Sequence, residues 1–334
     1  MSKSITSEVL PENLLDHRAV KAWRQLSTQW PLPVSVEVLQ LQRKSATYRL
    51  TCAASDRPTF IAKRCVAATA RVERIIYEDF IAHLPAPALR YYGFVEEADG
   101  QCCWLFLEDA GRGRYSQASD SHRTLAGQWL AARHTAGMTA GLEPRLPNRK
   151  ADHYLSLLQS AREAIRRHAH NPALPPDDLR MLEALVADCD QLESRWSDVE
   201  TICAAIPPTV VHGDFVIKNV GIRNTELGPA LWAVDWEHAG WGVPAADLAQ
   251  FTCRTVSPDL VAYGSVLRQS LPGVADRALR DLAHCGNFFR LLLAISWETP
   301  LLTFRPYRYL SHPVSSLGAY QAWLHEGLRT VRWT

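Results

Sequence analysis

The change in hydrophobic period near residue 110 constrains this chain most. Upstream of it, VSVEVLQLQRKSATYRLTCAA (34–54) alternates apolar and polar residues in two runs separated by QRKSAT, and TFIAKRCV (59–66) continues the same character. Three antiparallel strands are the simple reading. ATARVERIIYEDFIAHLP then spaces Val72, Ile75, Ile76, Phe80 and Leu84 along one helical face, and Pro85 ends the run. ALRYYGFVEEADGQCCWLFLED adds two strands around an Asp99–Gly100 turn. Residues 1–110 therefore read as a five-stranded antiparallel sheet with one helix.

After DAGRGRYS the spacing becomes helical, at roughly 118–138, 150–170 and 178–197 and again from about 244, 258, 275 and 316. Short strands return only in PPTVVHGDF, NVGIR and ALWAVDW. The expected organisation is α+β, with a β-rich lobe over 1–110 and a larger, mostly helical lobe over 111–334. Charge is balanced in both parts: residues 1–110 carry 13 basic and 13 acidic side chains, and the remainder 23 and 22. A nucleic-acid partner, which needs a concentrated basic face, is not expected. The first twenty residues have no apolar h-region, and FFRLLLAISW is short and interrupted by Arg290, so neither a signal peptide nor a membrane span is expected and the reading is cytoplasmic. The eight cysteines lack C-x-x-C spacing and read as reduced core residues.

Chemistry concentrates in VVHGDFVIKNVGIR and the following AVDWE. Asp214 offers a proton acceptor, Asn219 a neutral amide oxygen, and Asp235 a second carboxylate. Hard oxygens of this kind suit Mg²⁺, which takes one or two protein carboxylates and completes its octahedron with phosphates and water. Phosphoryl transfer asks for the same set: an acid that orients the attacking hydroxyl, and oxygens that hold the metal against the phosphates. No G-x-S-x-G elbow accompanies His212, so a hydrolase triad is not the reading.

H-G-D-x-x-x-x-N followed by a hydrophobic strand ending in D-W-E resembles the aminoglycoside phosphotransferase and choline kinase family, which has a protein-kinase-like two-lobed fold. The resemblance runs from about residue 34 to 255. It implies that Asp214 is the catalytic aspartate, that Asn219 and Asp235 are magnesium ligands, and that His212 and Asp247, the latter in GVPAADLAQF, brace the loop. It also implies that Lys63 of FIAKRC holds the α- and β-phosphates of a nucleoside triphosphate. A buried lysine needs a carboxylate partner; Glu73 fits the family's E-x-x-x-Y spacing to Tyr77, and Glu78 is the alternative. Leu107, Glu108 and Asp109 of WLFLEDAG match the segment that reads the adenine edge. Ser45 and Thr47, with Arg43 or Lys44 for charge, lie in the turn expected over the phosphates, although that turn has no glycine.

With the residues above, the resemblance leads to the expectation of an ATP- or GTP-dependent, Mg²⁺-dependent kinase acting on a small-molecule hydroxyl: an aminoglycoside-like compound, amino sugar, natural product or amino alcohol. A protein kinase is disfavoured by H-G-D in place of H-R-D and by the twelve residues separating Asp235 from Asp247. A silent nucleotide-binding module is disfavoured because Lys63, Asp214, Asn219 and Asp235 are all present. For the acceptor, eight acids between 177 and 200 suggest an acidic pocket or a solvated face. Trp236, Trp241, Trp297, Tyr307 and Tyr309 are candidates for an aromatic box or for core packing, and Arg305 and Arg308 point instead to an anionic or phosphorylated acceptor or to a packing role.

Overall fold

The alternating segments form β1 (Pro33–Leu41), β2 (Ala46–Cys52) and β3 (Thr59–Val66), and the Asp99–Gly100 hairpin joins β4 (Tyr91–Glu96) to β5 (Cys102–Glu108). They make one antiparallel sheet in the order β1-β2-β3-β5-β4. This computed structural model describes residues 13–27, 29–42, 45–53, 58–84, 88–111, 113–226 and 228–331; Arg43, Lys44 and Pro85 lie outside the described residues.

Period two decides what each face of the sheet meets. Tyr48, Leu50, Phe60, Ala62, Trp104 and Phe106 point to one side and are buried with Ala19, Val20, Ala22 and Trp23 of a helix, α1 (Arg18–Leu26). The sequence reading held only one helix here and did not anticipate α1. Its nine residues are too few to show a sustained 3.6 period, and it is held by tertiary packing, with Trp23 4.6 Å from the Phe60 ring and 5.3 Å from Phe106. The opposite face of the sheet receives α2 (Ala67–Ile75), which continues as a π-helical turn, Ile76–Phe80, and a 3₁₀ turn, Ile81–His83.

Helices dominate beyond residue 115: α3 (Asp120–Gly137), α4 (Ala151–His168), α5 (Pro176–Ser194), α6 (Trp196–Cys203), α7 (Leu260–Leu267), α8 (Asp276–Glu298) and α9 (Tyr307–Thr330). The helix expected from about 244 is only a 3₁₀ turn, Pro244–Asp247, and α9 begins nine residues before 316, carrying Pro313 inside it. Between the helices lie β6 (Asn148–Arg149), β7 (Thr209–Val211) and β10 (Gly240–Gly242), in one sheet ordered β6-β10-β7, and a separate hairpin of β8 (Val220–Thr225) and β9 (Gly228–Ala233). The centre of the helical layer is α8, whose Phe289 ring stacks on Tyr154 of α4 at 3.9 Å.

The chain divides into two compact units, residues 1–114 with Gly221–His238, and Tyr115–Val220 with Ala239–Thr334. The first crossing falls between Arg114 and Tyr115, and 221–238 groups with the sheet. The reason is local: Arg223 on β8 pairs with Glu108 at 2.7 Å and donates to the Ala88 carbonyl, and Gly113 runs so close to β8 that a Cβ there would lie 1.8 Å from the Ile222 oxygen. No described helix is long and apolar enough to cross a membrane.

Because Trp23 is 1% exposed at the centre of the first core, Trp23→Ala is expected to destabilise the sheet unit by about 3–5 kcal/mol, read as a lower urea midpoint in circular dichroism.

Candidate active site

The candidate residues divide between the two units. In the sheet unit, alternation along β3 sends Ala62 toward α1 and Lys63 to the α2 side. There Lys63 Nζ lies 2.5 Å from Glu73 Oε1 and 2.5 Å from Asp235 Oδ1. Glu78 is engaged elsewhere, with Arg74 at 2.8 Å and the Tyr91 hydroxyl at 2.9 Å, which leaves Glu73 as the lysine's partner. Glu73 is fully buried, and burial drives its carboxyl up to about 7 against the pull of Lys63. Burial also opposes the charge on Lys63, but Glu73 and Asp235 outweigh it and hold the ammonium well above the ordinary lysine value. Asp235 has φ 68, a left-handed conformation that aspartate tolerates better than most residues; such strain persists only where the surroundings impose it.

The other sheet-unit candidates are placed as follows. Thr47 sits opposite Lys63 in the β2–β3 register, and Ser45 donates to the Gln42 side chain at 3.2 Å. Leu107 is buried in β5, while the Glu108 amide donates to the Arg90 carbonyl and its carboxylate accepts from Arg223 and the Arg90 amide. Burial would raise the Asp109 carboxyl, but Arg49, 2.5 Å away, and the Gly111 amide more than offset it and hold it below the ordinary aspartate value.

In the helical unit the H-G-D loop follows β7. Gly213 takes φ 76, so the backbone turns sharply between His212 and Asp214. Its amides are bound by one buried carboxylate: Asp247 accepts from His212 N at 2.7 Å and Gly213 N at 2.9 Å. His134 Nε2 meets the same carboxylate at 3.2 Å, and its Nδ1 lies 3.0 Å from the Tyr263 hydroxyl. His212 Nδ1 accepts from the Asp214 amide at 3.3 Å. Asn219 donates its amide nitrogen to the Asp214 carbonyl at 2.9 Å and to Asp214 Oδ2 at 3.0 Å, which leaves the amide oxygen as the atom able to meet a cation. Lys218 Nζ stands 3.5 Å from the same Oδ2.

One residue of this cluster was not singled out as functional from sequence. Arg290 on α8 places Nη1 2.6 Å from Asp214 Oδ1. A pointer to it existed, since Arg290 interrupts the longest apolar run in the chain and a charge buried there requires a partner. The loop 251–257 also borders the H-G-D segment: Ile217 N donates to the Arg254 carbonyl and Val256 N to that of Phe215. Phe251, Cys253, Arg254 and Ser257 all have positive φ, a concentration of strain held by Asn287 on the Gln250 amide and Ser257 on the Phe251 amide.

The acids of 177–200 are not gathered into one pocket. Asp190 and Glu193 pair with Arg162, Asp188 is buried under Gln321 and His325, and Asp177 pairs with Arg180. Trp236 and Trp241 are buried, whereas Trp297, Tyr307 and Tyr309 are exposed. Among the described residues, no group of three or more His, Cys, Asp and Glu side chains could hold a metal. The Asn219 amide oxygen in the helical unit and the Asp235 carboxylate in the sheet unit are each hard oxygen donors of the kind Mg²⁺ takes.

With this geometry in hand, comparison with known proteins is informative. Residues 36–280 match the model of the phosphotransferase enzyme family, and the chain belongs to that family. A search of curated protein sequences finds no match. Among solved structures, the GDP complex of wild-type aminoglycoside 2'-phosphotransferase-IIIa aligns with a TM-score of 0.63 and 15% identity, covering 92% of this chain and 99% of that one. Spectinomycin phosphotransferase in complex with ADP and spectinomycin aligns at 0.56 and 10% identity, over 90% and 94%. Choline kinase from Cryptosporidium parvum Iowa II aligns at 0.55 and 10% identity, over 92% and 94%. At such identities the likeness is one of fold, and that fold is the two-lobed α+β fold of kinase-like phosphotransferases.

Asp247→Ala removes the acceptor of two loop amides and of His134. It is expected to cost about 3–5 kcal/mol of stability, measured by urea unfolding. Unchanged stability would show that the loop does not depend on this carboxylate.

Proposed function

We propose that this family member is an ATP- or GTP-dependent kinase that phosphorylates a hydroxyl of a small molecule such as an aminoglycoside-like compound, amino sugar, natural product or amino alcohol. The observation that carries the reading is the buried pairing of Lys63, on the third strand, with Glu73 on the following helix. Kinases require this ion pair to place the nucleotide phosphates. The ADP and GDP bound to the related structures support a nucleotide, without deciding the base.

In this reading Lys63, held by Glu73, contacts the α- and β-phosphates, and Leu107, Glu108 and Asp109 border the adenine edge, with Ser45 and Thr47 near the phosphates. Asn219 and Asp235 are the magnesium ligands; when bound, the ion neutralises the phosphate oxygens. Asp214 accepts a hydrogen bond from the acceptor hydroxyl and aims its oxygen at the γ-phosphorus, taking the proton as the new P–O bond forms and the nucleoside diphosphate leaves. His212 and Asp247 keep the loop in shape. A protein acceptor is disfavoured because a 3₁₀ turn, β10 and a second 3₁₀ turn occupy most of the span between Asp235 and Asp247, leaving little chain for a peptide-docking loop.

The test is a mass-spectrometric screen of the protein with Mg²⁺ and ATP or GTP against aminoglycosides, amino alcohols, amino sugars and a metabolite extract. A product 80 Da heavier, formed only by the intact protein, is the expected outcome. Asp214→Asn should lower turnover roughly 10²–10⁴-fold while nucleotide binding survives, and equal turnover would remove Asp214 from the chemistry. Asp235→Ala should abolish Mg²⁺-dependent transfer; transfer that persists would assign the metal to other residues.

A further inference from the structure

We propose that Arg290 is a positioning residue for Asp214, acting from α8 to hold the carboxylate in the orientation that meets the acceptor hydroxyl; this rests on the kinase reading above. Arg290 is the only Lys, Arg, Asp or Glu in the sixteen residues from Leu282 to Trp297, a run that contains Phe288, Phe289, Leu291, Leu292 and Leu293, all buried. Leucine or methionine would satisfy this helix face by packing alone. The guanidinium therefore needs another reason to be there, and its partner is the candidate catalytic carboxylate.

The geometry restrains both oxygens of Asp214. Oδ1 accepts from Arg290 Nη1 at 2.6 Å, and Oδ2 accepts from Asn219 at 3.0 Å with Lys218 at 3.5 Å. The Asp214 side chain is 3% exposed and that of Arg290 12%. A carboxylate held at both ends in so dry a place cannot rotate freely about χ2. The guanidinium is itself fixed, because its carbon lies 5.1 Å from the Trp297 ring centroid and Cys253 of the strained 251–257 loop approaches it closely enough to feel its charge. Phosphoryl transfer draws heavily on orientation of the nucleophile, which a carboxylate held in this way can supply.

A double-mutant cycle tests this, reading ADP or GDP release with the acceptor found in the screen and, alongside it, with water. Arg290→Met should lower kcat roughly 10²-fold with little change in KM for the acceptor or in nucleotide affinity. Arg290→Lys should recover part of the loss, because it restores the charge without the planar fork. In the Asp214→Asn background Arg290→Met should change kcat by less than about twofold, since the group it positions is already gone. An equal loss in both backgrounds, a wild-type kcat in Arg290→Met, or a rise in acceptor KM in both backgrounds would overturn the proposal, the last by making Arg290 an acceptor contact. If the uncompensated Asp214 charge prevents Arg290→Met from folding, Arg290→Lys and its double variant with Asp214→Asn carry the same comparison. A wild-type protein that releases no nucleoside diphosphate overturns the kinase reading and this one together, whereas full activity in Asp214→Asn overturns only the role of Asp214 and what depends on it.

Discussion

The loop that carries the candidate chemistry is held by one buried carboxylate. Asp247 accepts two backbone amides from His212 and Gly213 and a ring nitrogen from His134, all out of contact with water. Without it the two amides would be orphaned in an apolar setting, because the left-handed Gly213 takes the chain out of β7 and away from any ladder partner. The hold extends outward through His134 to Tyr263 of α7, and the Thr209 hydroxyl of β7 closes on the His134 carbonyl at 2.6 Å. The shape of the loop is thus decided by α3, α7 and the Pro244–Asp247 turn, none of which carries a candidate reactive atom.

The same economy governs the charged groups. In the sheet unit, one lysine is shared by two carboxylates, and the balance leaves Lys63 firmly protonated while Glu73 is pushed toward neutrality by burial. In the helical unit, one carboxylate is shared by Arg290 and the more exposed Lys218. The left-handed Asp235 and the four positive-φ residues of 251–257 lie beside these clusters, as expected if strain is tolerated where orientation matters.

Much of this was readable in the chain. The alternation of 34–66 predicts β1 to β3, and it also places Lys63 on the face opposite Ala62, because period two leaves no other choice. The H-G-D-x-x-x-x-N spacing brings Asp214 and Asn219 within hydrogen-bonding reach, since five residues with a tight turn cannot separate them far. What was harder to read depended on distant partners. Helix α1 is too short to announce itself and exists because Trp23 has an aromatic bed on the sheet. The choice of Glu73 over Glu78 turned on Tyr91 and Arg74 removing Glu78 from contention. The acids of 177–200 looked like a patch in sequence and are dispersed by pairing with Arg162, Gln321 and His325.

Local order, the period of each element and the identity of the candidate site residues are thus legible in the sequence, because they depend on neighbours within a few residues. Three things are not: the grouping of 221–238 with the sheet, the tie between Asp247 and the loop 34 residues before it, and the pairing of Asp214 with an arginine 76 residues away. These arise only on folding, when buried charges and amides must find partners wherever the packed chain offers them. Spacing along the chain does not encode which partner will be near, and so Arg290, conspicuous as a charge in an apolar helix, shows its partner, Asp214, only in the folded chain.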